Sequence, residues 1–344
     1  MDKLKTTNTL LLIIVIPLIF YILKLLSFIF IPLVFSMFLA LLFLPLMRWL
    51  GKKKITKPIS LFIVILIIAV LFKIGGELVH YSSKELMSVD NTFIEKAETK
   101  LSNLVITVEN YFGIERAKNT NAFSHYFKKE VFTKHIGSTL DFLSSTLSMI
   151  LMTAFFLVLW LLESINIQKV LNKTILKQQF SSVKVFMKIE KDLIKFMKVK
   201  FIISLFTGIG ITLACMYFDV SFPIFWGLFA FIINFVQMVG SFITVILLTL
   251  FAIIELDPTT TLLFFIISIT GVQVLMGGIL EPVFMGKSFS INVITILVML
   301  SLWGYIWGIP GMIMAIPLTV FIKIVAEQFD KTKIIANLIS GSNQ

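Results

Sequence analysis

Four polar side chains stand inside otherwise apolar stretches of this sequence: Asn234, Gln237, Gln273 and Glu281. Gly240 and the break Gly308-Ile309-Pro310-Gly311 interrupt two further apolar runs, where glycine and proline release peptide groups from the helical ladder. Amides and freed peptide groups can hydrogen-bond a polar solute, and Glu281 can carry a proton or a cation. Gln273, Gly277 and Glu281 are four residues apart, so on a helix they fall within about 80° of one another and make a polar stripe. Each group also has a plainer role. Asn234 and Gln273 suit interhelical hydrogen bonds, Glu281 suits a helix end at the membrane surface, and the glycines suit close packing.

Covalent chemistry finds little support. The sequence has no H-E-x-x-H, no G-x-S-x-G and no pair of aspartates within an apolar run, so no catalytic residues are assigned. The single cysteine, Cys215, completes neither a disulfide nor a thiolate cluster. His80, His125 and His135 match no compact ligand spacing, so no metal and no cofactor are expected. A Walker-type glycine loop is also missing, so any solute movement would run downhill or on a gradient.

The elements that must position these residues are membrane helices. At 58% hydrophobic and 14% charged residues, the chain is far from the roughly 25% charged fraction of a soluble domain. Apolar runs at about 9–26 and 28–46 read as a tight helical hairpin, with Lys24 near its tip snorkelling to the interface. Lys3 and Lys5 precede a first helix that reads as retained. Arg48, Lys52, Lys53, Lys54 and Lys57 follow without an acid and mark a cytoplasmic loop, which puts the N-terminus on the same side. Further spans are expected at 58–74, 143–162, 201–218 and 259–280. Between 77 and 141 charges are balanced, and apolar positions from Leu86 to Tyr111 recur every three or four residues, as in a long helix of an extracytoplasmic insert. The stretch 164–200 is rich in lysine, including Lys169, Lys173 and Lys177. It reads as a basic amphipathic helix on anionic lipid, with Lys52, Lys53 and Lys54 as further membrane-surface contacts. Positive-inside loops account for the net charge of +11 without nucleic acid as a partner.

Two apolar runs, 224–254 and 291–325, are too long for ordinary spans. The second would make a straight helix of roughly 52 Å against a hydrocarbon core of about 30 Å. Interrupted segments in corresponding positions point to a solute site at a repeat interface. Two arrangements are open: eight full spans, or six full spans with two re-entrant hairpins whose tips lie at Gly240 and Pro310. Half-runs of about 15 residues reach roughly 22 Å, and the loop charges tilt the same way, toward hairpins.

The run ILEPVFMGKS followed by LWGYIWGIPGMIMAIPLTVFIKI resembles the closing signature of the AI-2E family, the autoinducer-2 exporter or permease family of bacterial inner membranes. Glu281-Pro282, Gly286-Lys287, Trp303-Gly304, Gly308-Ile309-Pro310-Gly311 and Pro317 stand in family order, and FIPLVFSMFLALLFLPLMRWL and GLFAFIINFVQMVG extend the likeness. Many members carry an Ile-Pro pair where this chain has Val236-Gln237-Met238-Val239. The resemblance implies an all-α, multi-pass carrier of the bacterial inner membrane without a nucleotide-binding domain. Some members are linked to autoinducer-2 export and others to sodium or lithium efflux coupled to protons, so the solute or coupling ion stays open. A membrane scaffold without transport and a homo-oligomer also stay open. The expected organisation is N-terminal spans at 1–76, the insert at 77–142, a span at 143–163, the basic segment at 164–200, a transport core at 201–330 and a cytoplasmic tail at 331–344.

Overall fold

A computed structural model describes residues 2–87, 99–100, 102, 148–163, 180–236, 239–256, 260–286, 291–329 and 332–340. Every element among them is helical: α1 (Asp2–Leu25), α2 (Ser27–Lys52), α3 (Lys57–Met87), α4 (Ser148–Glu163), α5 (Phe180–Tyr217), α6 (Pro223–Ile233), α7 (Val239–Glu255), α8 (Thr260–Gln273), α9 (Glu281–Met285), α10 (Val293–Glu327) and α11 (Lys333–Ser340). A π-helical turn, Val274–Leu280, joins α8 to α9, so that Thr260–Met285 is one rod of 26 residues. Among the described residues, five segments are long and apolar enough by length and composition to cross a membrane: α2, the 57–82 part of α3, the 187–217 part of α5, the α8–α9 rod, and α10 taken end to end across its break at Gly308. Helix is the expected answer, because hydrocarbon offers backbone groups no other partner.

The first long run folds back on itself. At its start, Ser221 donates its backbone N–H to a Glu255 carboxylate oxygen at 2.9 Å and its hydroxyl to the other oxygen. Glu255 ends α7, so the two ends of the run meet. At the tip, a Cβ built on Gly240 would stand 2.0 Å from the Ile233 carbonyl oxygen, so only glycine lets α7 depart this close to the end of α6.

The second long run repeats the plan. Gly308 takes φ 63° and ψ −142°, a conformation close to glycine-only, and reverses α10 in its middle. A Cβ on Gly311 would meet the Trp303 carbonyl oxygen at 2.0 Å. The start of this hairpin is tied to α11, which follows its end, by the Asn292 N–H on the Ile339 carbonyl at 2.9 Å. The 26-residue rod of α8–α9, roughly 39 Å long, separates the two hairpin bases. The hairpins therefore enter from opposite ends of the bundle.

Three apolar cores hold these parts. One packs α2, α3 and α4 around Val64, Leu157 and Leu161. Another packs the later half of α5 with the first hairpin and α8 around Ile211, Cys215, Phe265 and Ile269. The third seats the second hairpin on α1, α2 and the early half of α5, with Phe38, Phe196, Trp303 and Ile316 at its centre.

The structure corrects two sequence expectations. Residues 9–46 do not turn through a loop as a tight hairpin. A single residue between α1 and α2, Leu26, donates its N–H to the Ile22 carbonyl and accepts from Ile29 and Phe30, and it bends the chain at φ −96° and ψ 25°. Residues 180–200 are not a separate surface helix but the first half of α5, and Leu193, Phe196 and Met197 are buried against the second hairpin instead of lipid. Within the 331–344 tail, Lys333–Ser340 is an ordered helix. Most of the 77–142 insert, together with Lys169, Lys173 and Lys177, lies outside the described residues, whereas Lys52, Lys53 and Lys54 are exposed at the end of α2.

The two glycines of the second tip should separate by substitution. Gly311→Ala places a methyl group against the Trp303 carbonyl and is expected to abolish folded protein in the membrane. At Gly308, which has open space around it, Gly308→Ala is expected to accumulate with about 1–3 kcal/mol lost to backbone strain. Membrane yield and thermal unfolding in detergent measure both.

Candidate functional site

The central feature is the antiparallel pairing of α5 with the α8–α9 rod. Lys195 Nζ donates to the Met285 carbonyl at 3.0 Å at one end, and the Phe218 and Phe265 rings meet at 5.6 Å at the other. Between these ends the apolar cores are interrupted by a polar layer. Lys200 Nζ donates to Glu281 Oε1 at 2.8 Å, and the two residues are only 1% and 2% exposed. Stripping an ion of water costs several kcal/mol, so neither charge would stay here without the other. The ammonium balances the carboxylate and leaves the layer without net charge.

One turn along α5, Ser204 Oγ accepts a hydrogen bond from Asn234 Nδ2 at 3.1 Å, with both residues buried. Asn234 follows α6 directly, so this bond fastens the tip of the first hairpin to α5 beside the ion pair. On the opposite wall, a Cβ on Gly277 would stand 3.6 Å from Ser241 Oγ, next to Gly240. The tip is thus held between α5 and the π turn. That turn widens the helix just where Gln273, Gly277 and Glu281 line up, and π turns cluster at functional sites. Gln273 is 5% exposed, and both its amide oxygen and nitrogen lack a hydrogen-bond partner among the described residues. Buried Thr207 and Thr244 turn their hydroxyls onto the carbonyls of Ile203 and Gly240 in their own helices.

The structure therefore brings Asn234, Gly240 and Glu281 around one level of the bundle, and it places buried Gln273 about two turns from Glu281 along the same rod. Gln237 lies outside the described residues. Gly308, Pro310 and Gly311 stand elsewhere, at the second tip, where Trp307 donates its indole N–H to the Leu23 carbonyl at 3.0 Å. Lys24, which is exposed, sits 3.8 Å over the exposed Tyr305 ring there. Lys323, also buried, pairs with Glu327 on its own helix at 3.6 Å. Sequence reasoning missed Lys200. In a local window it is the last of a series of lysines, and its partner is 81 residues away.

The profile of the family described as AI-2E family transporter matches residues 10–331. The chain belongs to this family. Among relatives, a Borreliella burgdorferi protein provisionally named a transport protein is 26% identical over 93% of this chain and 86% of its own length. The AI-2 transport protein TqsA of Escherichia coli is 22% identical over 91% of this chain and 90% of its own. YrrI of Bacillus subtilis, another provisionally named transport protein, is 25% identical over 88% and 86%. As an AI-2E family member the chain is a multi-pass membrane protein of the transporter class, which agrees with the long apolar helices among the described residues.

The ion pair of this AI-2E chain makes a sharp thermodynamic prediction. Lys200→Met or Glu281→Met alone leaves a buried charge unpaired and should cost about 3–5 kcal/mol. The double substitution Lys200→Met/Glu281→Met should recover most of that loss, which thermal unfolding of the four purified proteins would measure.

Proposed function

We propose that this chain exports a small polar solute, such as the signal autoinducer-2, downhill or on a gradient, and that the solute meets the protein at the polar layer. The observation that carries this reading is the attachment of the first hairpin tip through Asn234 to Ser204, one turn from the Lys200–Glu281 pair. A single neutral hydrogen bond contributes only about 0.5–1.5 kcal/mol net, so such a tip can be released and refastened thermally. The internal charge balance suits an uncharged, hydroxyl-bearing solute, and the Gln273 amide offers it one donor and one acceptor. The relative named an AI-2 transport protein supports the same solute class. Asn234, Gln237, Gly240, Gln273 and Glu281 are the residues proposed to line the path, with Gly308, Pro310 and Gly311 shaping the second hairpin that frames it.

A second reading, exchange of sodium for protons, is favoured by the Glu281 carboxylate, because a cation or a proton can stand in for its lysine partner. Flux in proteoliposomes separates these readings from each other and from a scaffold that moves nothing. The purified chain should release trapped autoinducer-2 faster than protein-free vesicles. Gln273→Leu should slow release by roughly two- to ten-fold, the equivalent of one hydrogen bond, while thermal stability holds or rises because an unpaired buried amide is gone. No solute release would defeat the export reading. Sodium-dependent proton movement, lost in Lys200→Met/Glu281→Met, would establish exchange.

For topology, we infer that the first hairpin opens on the extracytoplasmic side and the second on the cytoplasmic side. The inference is supported by Lys100, in the segment read as the extracytoplasmic insert, whose ammonium donates to the Leu256 carbonyl at the first hairpin's base at 3.0 Å. The Arg48–Glu190 ion pair likewise joins the basic loop to the lysine-rich end of α5. In a Cys215→Ala background, Thr260→Cys is expected to react from outside intact cells with an impermeant thiol reagent, and Thr56→Cys is not. Eight crossings would give the opposite result at Thr260.

A further inference from the structure

The short helix α11 has three faces with different surroundings. Ala336 and Ile339 are buried, and the Ile339 carbonyl accepts the Asn292 N–H that starts the second hairpin. Ile334 and Leu338 are each 71% exposed and Ile335 is exposed as well, and on the helix these three fall within about 100° of one another. Lys333, Asn337 and Ser340 share a third arc of about 60°, which is polar. Three large aliphatic side chains on eight residues would be a costly surface in water.

We infer that α11 is an interfacial helix: it lies along the bilayer surface with Ile334, Ile335 and Leu338 at the acyl boundary, and it ties the base of the second hairpin to that surface. What identifies lipid as the occupant is continuity. Next to Asn292 begins the outward face of the first arm of the second hairpin, where Val293, Ile294, Leu297 and Val298 are exposed on an apolar helix. Because the Asn292–Ile339 bond holds α11 against the start of that belt, its own aliphatic face extends the same surface. The polar arc with Lys333 is left for headgroups and water, the distribution expected of a helix lying in the interface plane. The membrane thereby reaches the hairpin base through one backbone hydrogen bond.

The test uses the full chain in the Cys215→Ala background, with a single cysteine at Leu338 or at Asn337, each carrying an environment-sensitive fluorophore. Both proteins are reconstituted into vesicles of phosphatidylcholine and phosphatidylglycerol, with and without bromine on the acyl chains. Brominated chains should quench the label at Leu338 several-fold more than the label at Asn337, while aqueous iodide should show the reverse order. Equal quenching at the two sites overturns the inference. So does a Leu338 label that is shielded from iodide yet untouched by brominated chains, the sign that protein, a second copy included, covers this face.

Discussion

A lysine and a glutamate sealed from water at 2.8 Å set the terms for the middle of this protein. Neither charge tolerates burial alone, so α5 and the α8–α9 rod must keep the register that brings Lys200 to Glu281. That register also aligns Lys195 with Met285 and Phe218 with Phe265, and it stacks two apolar cores on either side of a polar layer. Apolar contacts alone would allow the two rods to slide by a turn at small cost. The ion pair does not, and every residue around the layer inherits its position from it.

The hairpins depend on a different constraint. A backbone that reverses inside a membrane must bring its two arms close enough to leave no unsatisfied peptide groups facing lipid. Both tips solve this with a glycine whose missing Cβ admits a carbonyl oxygen: Gly240 against Ile233 and Gly311 against Trp303. Their surroundings then differ. The first tip ends in side-chain hydrogen bonding to the polar layer, whereas the second is packed by aromatic groups, with Trp303 and Trp307 in contact and Tyr305 under Lys24. The same backbone device thus serves a polar junction at the first tip and a largely aromatic one at the second.

The polar layer is satisfied unevenly. Lys200, Glu281, Asn234 and Ser204 have partners, and the threonines bond within their helices, but among the described residues the Gln273 amide has none. A buried polar group without a partner reduces stability, and natural proteins keep such groups mainly where function uses them. Its neighbour in sequence is a π turn, another departure from regular geometry. Two local irregularities, the Gln273 amide and the π turn, thus stand side by side on one helix.

Much of this could be read from the residues in order. Apolar run lengths, the basic stretch from Arg48 to Lys57 with no acid in it and the glycine-proline breaks determine a helical membrane protein with two interrupted segments, and the closing motif points to its family. Asn234, Gln273 and Glu281 also stood out, because a polar residue in an apolar run is conspicuous without any structure. Tertiary structure alone decided what each of them faces. Helical periodicity places a side chain on a face but carries no record of the neighbouring helix, so the 81-residue separation of Lys200 from Glu281 hid the pairing and made Lys200 look like one more surface lysine. The same ambiguity made the early half of α5 read as lipid-bound, since an apolar face has the same sequence pattern whether lipid or protein covers it. The fold-back of the two long runs was suggested by length but decided by contacts far apart in the chain, Ser221 with Glu255 and Asn292 with Ile339, whose geometry exists only once the helices have packed.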